Sequence, residues 1–347
     1  MSAELSWLPG LLLSWYQEHK RDLPWRKDRQ PYHVWLSEIM LQQTRVEAVK
    51  GYYSRFLSAL PTIAALAHCD DDALMKLWEG LGYYSRARNL KKAAQVILSD
   101  HGGEFPRDYK AIRALPGIGD YTAGAVSSIC FDEPRAAVDG NVLRLVSRLT
   151  DDPTPIDLPM RKEQVRQLLE AVYPAQAGDF TQALMELGAT VCGPNREPDC
   201  GNCPCRERCL AHLCGTACSL PVKLPKKQRR QEHRTVFLLR CGEYYALTKR
   251  PPEGLLASLW QLPDTPGCLE PEEAMAHLGS LGVRVSQLQR MSDRHHIFTH
   301  VRWDMRCYWA EAANLADGFV WMTAGQVASD AALPTAYRQF WEDKSYV

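Results

Sequence analysis

Leu115-Pro116-Gly117-Ile118-Gly119-Asp120-Tyr121-Thr122-Ala123-Gly124-Ala125-Val126 is the stretch on which the reading of the fold turns. A helical pattern ends near Arg113 and another resumes near Tyr121, so the residues between must redirect the chain within a short turn. Gly117 and Gly119 permit that turn and let backbone N–H groups meet an anion with no Cβ in the way. The helix that follows points its N-terminal dipole in the same direction. An ordinary corner between two helices would use the same glycines, and the pattern alone leaves both readings open.

Outward from this turn the chain is mostly helical from Leu5 to about Leu187. Apolar residues three and four apart recur in Ala73–Leu81, Arg88–Ile97 and Arg161–Val172, and Leu5, Leu8, Leu12, Trp15 and Tyr16 repeat as on an amphipathic surface helix. After Arg234 the period changes. Thr235–Arg240 and Tyr244–Thr248 read as strands around Cys241-Gly242-Glu243, Glu272–Leu281 as a helix, and Val301–Trp309 alternates like a strand. The 347 residues exceed one comfortable core. The expectation is a mainly α domain over 1–219, a Pro-, Lys- and Arg-rich linker over 220–233, and a smaller α+β domain over 234–347.

Forty-one basic residues balance 41 acidic ones, so any nucleic-acid surface must be a local feature. The N-terminal residues lack the charged start and apolar block of a leader, and no apolar run is long enough to cross a bilayer; the expected location is the cytoplasm, at the nucleoid. Seven of the twelve cysteines fall between Cys192 and Cys218, which in such a chain favours a metal site over disulfides. Cys192, Cys200, Cys203 and Cys209 have the spacing C-x7-C-x2-C-x5-C. Four thiolates in one loop suit zinc or a cubane iron–sulfur cluster, and ligand type does not choose between them. Cys205, Cys214 and Cys218 are surplus.

Two carboxylates stand in contrasting settings. Glu38, in the helical stretch Pro31–Arg45, has Val34, Trp35, Leu41 and Gln42 three and four positions away. A carboxyl on an apolar face resists ionisation and suits a general acid, although a glutamate at the edge of the stripe could equally reach water. Asp139 follows Ala136-Ala137-Val138 and precedes the helical Asn141–Leu149, where it caps the helix. A capping carboxylate is expected to stay ionised and could steady a developing cation. One neutral and one charged carboxyl is the pairing that cleaves glycosidic bonds.

Taken together, Ser37-Glu38-Ile39-Met40-Leu41-Gln42-Gln43-Thr44, Trp78-Glu79-Gly80-Leu81-Gly82-Tyr83-Tyr84-Ser85-Arg86, the string at 115–126, Val138-Asp139-Gly140-Asn141-Val142 and the cysteine loop resemble the MutY branch of the endonuclease III superfamily. The resemblance implies a helix–hairpin–helix glycosylase domain with a [4Fe-4S] cluster on Cys192, Cys200, Cys203 and Cys209. Gly117 and Gly119 would then grip DNA phosphates without reading sequence. The implied activity is excision of adenine mispaired with 8-oxoguanine or G in duplex DNA during base excision repair. The adenine is flipped into a pocket, Glu38 protonates it, and Asp139 stabilises the oxocarbenium-like sugar. Tyr121 and Asn141 occupy positions that support these carboxylates, Trp25, Arg26, Leu41 and Glu186 align with the adenine pocket, and Gln43 and Tyr83 with residues inserted at the lesion.

Strand-cutting relatives carry a lysine where this chain has Tyr121, so the resemblance implies a monofunctional enzyme with at most weak lyase activity. The C-terminal part resembles a Nudix-like module that recognises 8-oxoguanine. It lacks the acidic Mg²⁺ box, so no nucleotide hydrolysis is expected. Phe298-Thr299-His300 matches the lesion-probing loop, with threonine where serine is commoner, and the cysteine loop has one residue more than usual between its first two cysteines. A monomer acting on double-stranded DNA is implied. The rival readings are an endonuclease III-like pyrimidine glycosylase with lyase activity and a non-catalytic damage-binding protein.

Overall fold

The computed structural model describes residues 5–194, 197–225 and 228–343. The chain forms two compact units, Met1–His68 with Arg88–Pro225, and Cys69–Ala87 with Lys226–Val347. Among the described residues no helix is long and apolar enough to cross a membrane.

The first unit is helical. Helix Leu8–His19 buries Leu8, Leu12, Trp15 and Tyr16, positions that fall on one side at 3.6 residues per turn. Pro31 opens helix Pro31–Leu41, where a missing N–H costs nothing, and the helix is apolar nearly all round, so Val34 to Met40 are buried. It packs on helix Asp120–Phe131, which in turn packs on Ala177–Thr190. Helices Leu8–His19 and Gly140–Leu149 contact that same Ala177–Thr190 segment. One core joins Leu12, Trp15, Val142, Val146, Phe180 and Leu184 to Cys192, Cys205 and Cys209, so the cysteine loop is part of the helical core.

The second unit is built on a sheet of β1 (Arg230–Cys241), β2 (Tyr244–Lys249), β3 (Trp260–Gln261), β4 (Asp264–Pro266), β5 (Val285–Arg290), β6 (Arg294–Ile297), β7 (Val301–Ala312) and β8 (Val320–Thr323). β1 and β7 run parallel in register from Arg230↔Val301 to Arg240↔Glu311. β2 and β4 pair antiparallel with β1, and β5 and β6 with β7. Side chains alternate across the sheet: Val236 and Leu238 enter one core with Tyr337 and Phe340, while Phe237 and Leu239 enter another with Ala274 and Leu278.

The boundaries differ from those expected in three places. Arg230–His233 belong to β1 and not to the linker, because pairing along β7 satisfies their backbone groups in spite of their charge. Lys226 and Lys227 of that linker lie outside the described residues. The helix expected over Ala73–Leu81 runs only Asp71–Leu77, because Gly80 and Gly82 take φ of 96° and 70°. Cys69–Ala87 also groups with the second unit, which the local pattern does not signal.

Candidate active site

Glu38 is 6% exposed and accepts a 2.5 Å hydrogen bond from the Tyr121 hydroxyl. Burial pushes its pKa up to about 7; the Tyr121 bond pulls the other way, and the negative charge of nearby Asp139 adds to the rise. Asp139 caps helix Gly140–Leu149, accepting from Val142 N at 2.8 Å, and its second oxygen accepts from Asn141 Nδ2 at 2.8 Å. These bonds favour the anion, as a cap should. Burial outweighs them, however, and the Asp139 pKa also lies above its usual value. Both carboxyls therefore lie above their usual values, and the donors to Asp139 lessen its rise without cancelling it.

Both carboxyls line one cavity of about 640 Å³ in the first unit, with Trp25, Arg26, Leu41, Gln43, Gly119, Tyr121, Asn141 and Glu186 on its walls. Arg26 and Glu186 are not surface charges. Glu186 is fully buried and receives Arg21 Nε at 2.6 Å, Arg21 Nη2 at 2.9 Å and Arg26 Nη2 at 2.7 Å. Burial pushes Glu186 up, but the hydrogen bonds from Arg21 and Arg26 prevail and its carboxyl stays below the usual range. Gly188 lets the Asn141 end of its helix come close, since a Cβ there would stand 2.9 Å from Asn141 Cβ. Gly117 lies against Asn89, where a Cβ would meet Asn89 Cβ at 2.5 Å, and takes φ +75°. Gly119 begins helix Asp120–Phe131 with no side-chain cap and open space at its Cα.

Several site residues went unread in the sequence. Arg21 completes the Glu186 cluster, and among the described residues Lys162 is the one lysine lining the cavity. Arg144 and Arg148, one turn apart in a helix whose other buried residues, Ser147 apart, are apolar, are the most visible omission. Arg144 donates from Nη2 to Asn141 Oδ1 at 2.8 Å and to Gly188 O at 2.7 Å, and from Nε to Cys192 O at 2.8 Å. Arg148 Nη1 donates to Cys192 Sγ at 3.1 Å. A hydrogen-bonded path thus runs from Asp139 through Asn141 and Arg144 to the first loop cysteine. Two arginines inside an apolar helix were the available signal.

Cys192, Cys200, Cys203 and Cys209 line a second cavity with Arg148, Asp199 and His212. Cys205 is buried but is not on that wall, while Cys214 and Cys218 are exposed. Among the described residues no three His, Cys, Asp or Glu side chains gather as ligands of a single metal ion.

In the second unit the Tyr83 hydroxyl stands 3.3 Å from Thr299 Oγ1. Thr299 and His300 are exposed in a turn closed by Phe298 N donating to Val301 O at 2.8 Å, and the Phe298 ring packs edge-on against Trp303. Tyr83 and Gln43 share an unusual backbone: both take positive φ, 47° and 59°. For residues with a Cβ this costs about 1 kcal/mol or more and is found where a side chain must be presented outward.

Residues 36–174 match the model of the HhH-GPD superfamily base excision DNA repair proteins, and residues 235–343 match the NUDIX domain. The adenine DNA glycosylase of Rattus norvegicus is 35% identical over 96% of this chain and 73% of its own length. A thermostable thymine-DNA glycosylase superposes with a TM-score of 0.55 at 31% identity, covering 59% of this chain and 95% of that one. A trapped endonuclease III–DNA covalent intermediate gives 0.52 at 22% identity, over 61% and 96% of the two chains, a likeness of fold alone.

The raised Glu38 pKa has a consequence for stability. A carboxyl that titrates near 7 when folded and near 4.5 when unfolded makes the protein lose stability as pH rises between those values. Glu38→Gln lacks that loss. Chemical denaturation is expected to show the variant gaining on the parent between pH 5 and pH 8, by at most about 3 kcal/mol. An equal difference at both pH values would mean that Glu38 titrates as an ordinary glutamate.

Proposed function

The chain belongs to the adenine DNA glycosylase family, and from that membership we propose that it removes adenine opposite 8-oxoguanine or guanine in duplex DNA without itself cutting the strand. The observation that carries the reading is the shared cavity of Glu38 and Asp139, with one carboxyl held by a phenol and the other by a helix N-terminus.

An adenine flipped into this cavity is enclosed by Trp25 and Leu41, with Arg26 fixed by Glu186 at the wall. Glu38, half protonated near neutral pH, gives its proton to the ring and makes the base a leaving group. Tyr121 then holds the resulting carboxylate. Asn141 and Val142 N–H keep Asp139 aimed, so its negative charge meets the cationic sugar as the bond breaks, until water adds. Gly119 and the uncapped start of the next helix offer N–H donors to backbone phosphate. Tyr121 cannot form a Schiff base, and among the described residues Lys162 is the one amine on the cavity wall to which weak lyase activity would be ascribed. The exposed Thr299 and Tyr83 hydroxyls favour contact with the oxidised guanine. We place the enzyme in the cytoplasm, acting as a monomer.

Cys192, Cys200, Cys203 and Cys209 share the lining of one cavity, and a [4Fe-4S] cluster held there is the reading that fits the family. When bound, such a cluster would cross-link the loop and add a redox-capable centre. Arg148, already on Cys192 Sγ, would offset thiolate charge.

Single-turnover assays are expected to show adenine release from duplexes with A opposite 8-oxoguanine and A opposite G, without prompt strand cleavage. Release of thymine glycol, or of thymine opposite guanine, in place of adenine would sink the assignment. The excision rate should fall about tenfold per pH unit once pH is well above about 7, as the Glu38 proton is lost. Glu38→Gln should bind the A:8-oxoguanine duplex within about threefold of the parent yet lose at least about a hundredfold in rate; unchanged turnover would remove Glu38 from its role. Iron analysis should find Cys203→Ser depleted and Cys205→Ser filled, and the reverse would reassign the ligand.

A further inference from the structure

Cys69–Ala87 carries Tyr83 and groups with the C-terminal unit, and specific polar contacts join the two. Lys76 Nζ donates to Ala331 O at 3.1 Å and pairs with Glu79 Oε2 at 2.8 Å. Glu79 Oε1 in turn accepts from Leu333 N at 2.8 Å. Ala331, Ala332 and Leu333 are at most 2% exposed. Main-chain groups so buried need partners within the protein, and the Lys76–Glu79 pair supplies one donor and one acceptor to them. Asp72 adds a contact further out, its carboxylate held by Lys249 Nζ at 2.7 and 2.8 Å.

Beyond this grip the chain is hydrogen-bonded to itself as far as Gly82, the residue before Tyr83. Trp78 Nε1 donates to Gly82 O at 3.1 Å, and Arg86 Nη2 donates to Leu81 O and Gly82 O, each at 3.0 Å. The Arg86 guanidinium also lies over the Trp78 and Tyr83 rings. On the other side, residues 331–333 lead into helix Thr335–Trp341, whose Tyr337 and Phe340 share a core with Trp303 and Phe298. Phe298 is the neighbour of Thr299. The two hydroxyls that meet at 3.3 Å are therefore each set on a segment held by packing or hydrogen bonds, and the two segments are joined at Lys76, Glu79 and the 331–333 backbone.

We propose that the Lys76–Glu79 pair is a specificity-positioning clamp: by gripping residues 331–333 it sets Tyr83 against Thr299 and so determines the preference for adenine opposite 8-oxoguanine over adenine opposite guanine. The proposal rests on the reading of Tyr83 and Thr299 as lesion contacts. Neither residue of the clamp lines the cavity of Glu38 and Asp139, so the clamp acts on discrimination and not on bond cleavage.

The test uses full-length Lys76→Met, Glu79→Gln and Lys76→Arg with two readouts. Amide hydrogen exchange needs no DNA, and the single-turnover rates on the two duplexes give the preference. Lys76→Met and Glu79→Gln are expected to exchange faster at 78–84 and 331–333. Their preference for the 8-oxoguanine duplex should fall about tenfold, equivalent to about 1.4 kcal/mol, while the rate on A opposite G changes less than about twofold. Lys76→Arg, which keeps the charge and a donor, should retain both properties. Unchanged exchange, or faster exchange with the preference intact, overturns the clamp. A parent enzyme that does not distinguish the duplexes would instead overturn the underlying reading, and the exchange data separate the two failures.

Discussion

A carboxyl group kept out of water with a phenol as its hydrogen-bond donor is the constraint around which the catalytic unit is arranged. Glu38 can be buried only if the helix carrying it is apolar nearly all round, and Pro31–Leu41 is. The donor must come from elsewhere, and Tyr121 arrives on the helix that follows the Gly117–Gly119 turn. The turn thus does two things at once, leaving the start of the next helix without a side-chain cap and delivering the partner of the Glu38 carboxyl. Asp139 reaches the same cavity on a third helix, and its charge raises the cost of ionising Glu38 further. The outcome is a proton available at neutral pH beside a carboxyl steadied by N–H donors.

The wall of that cavity is stiffened by charge. A buried Glu186 would be costly alone, but two arginines satisfy it and the group stays ionised. Removing either partner leaves a charge without its counterpart, so the triad makes the pocket intolerant of drift more than it stabilises the fold. Arg144 plays a comparable part behind Asn141, holding the amide that holds Asp139 while its Nε reaches the Cys192 carbonyl. The geometry of the cysteine loop is in this way tied to the aim of the Asp139 carboxylate.

What could be read in the sequence was local. The apolar neighbours of Glu38, the capping position of Asp139 and the two glycines of the turn are features of short windows, and each window carries its own physics. Asp139 shows the limit: its donors were legible, but the burial that outweighs them depends on helices far along the chain. The partner of Glu186 was illegible for the same reason, since Arg21 is 165 positions away. Cys69–Ala87 looked like one more helix of the first domain because nothing in its own pattern reveals that Glu79 caps the Leu333 amide. Residues Arg230–His233 looked like linker because their charge is local and their pairing with β7 is not.

Burial is what raises the Glu38 pKa, and that can be seen without substrate. An infrared difference spectrum of the parent minus Glu38→Gln, recorded across pH, isolates the C=O stretch of this one carboxylic acid. The structure predicts a protonated band that persists to near-neutral pH and fades with a midpoint at about 7. A midpoint near 4.5, the ordinary value for a glutamate, would contradict the account.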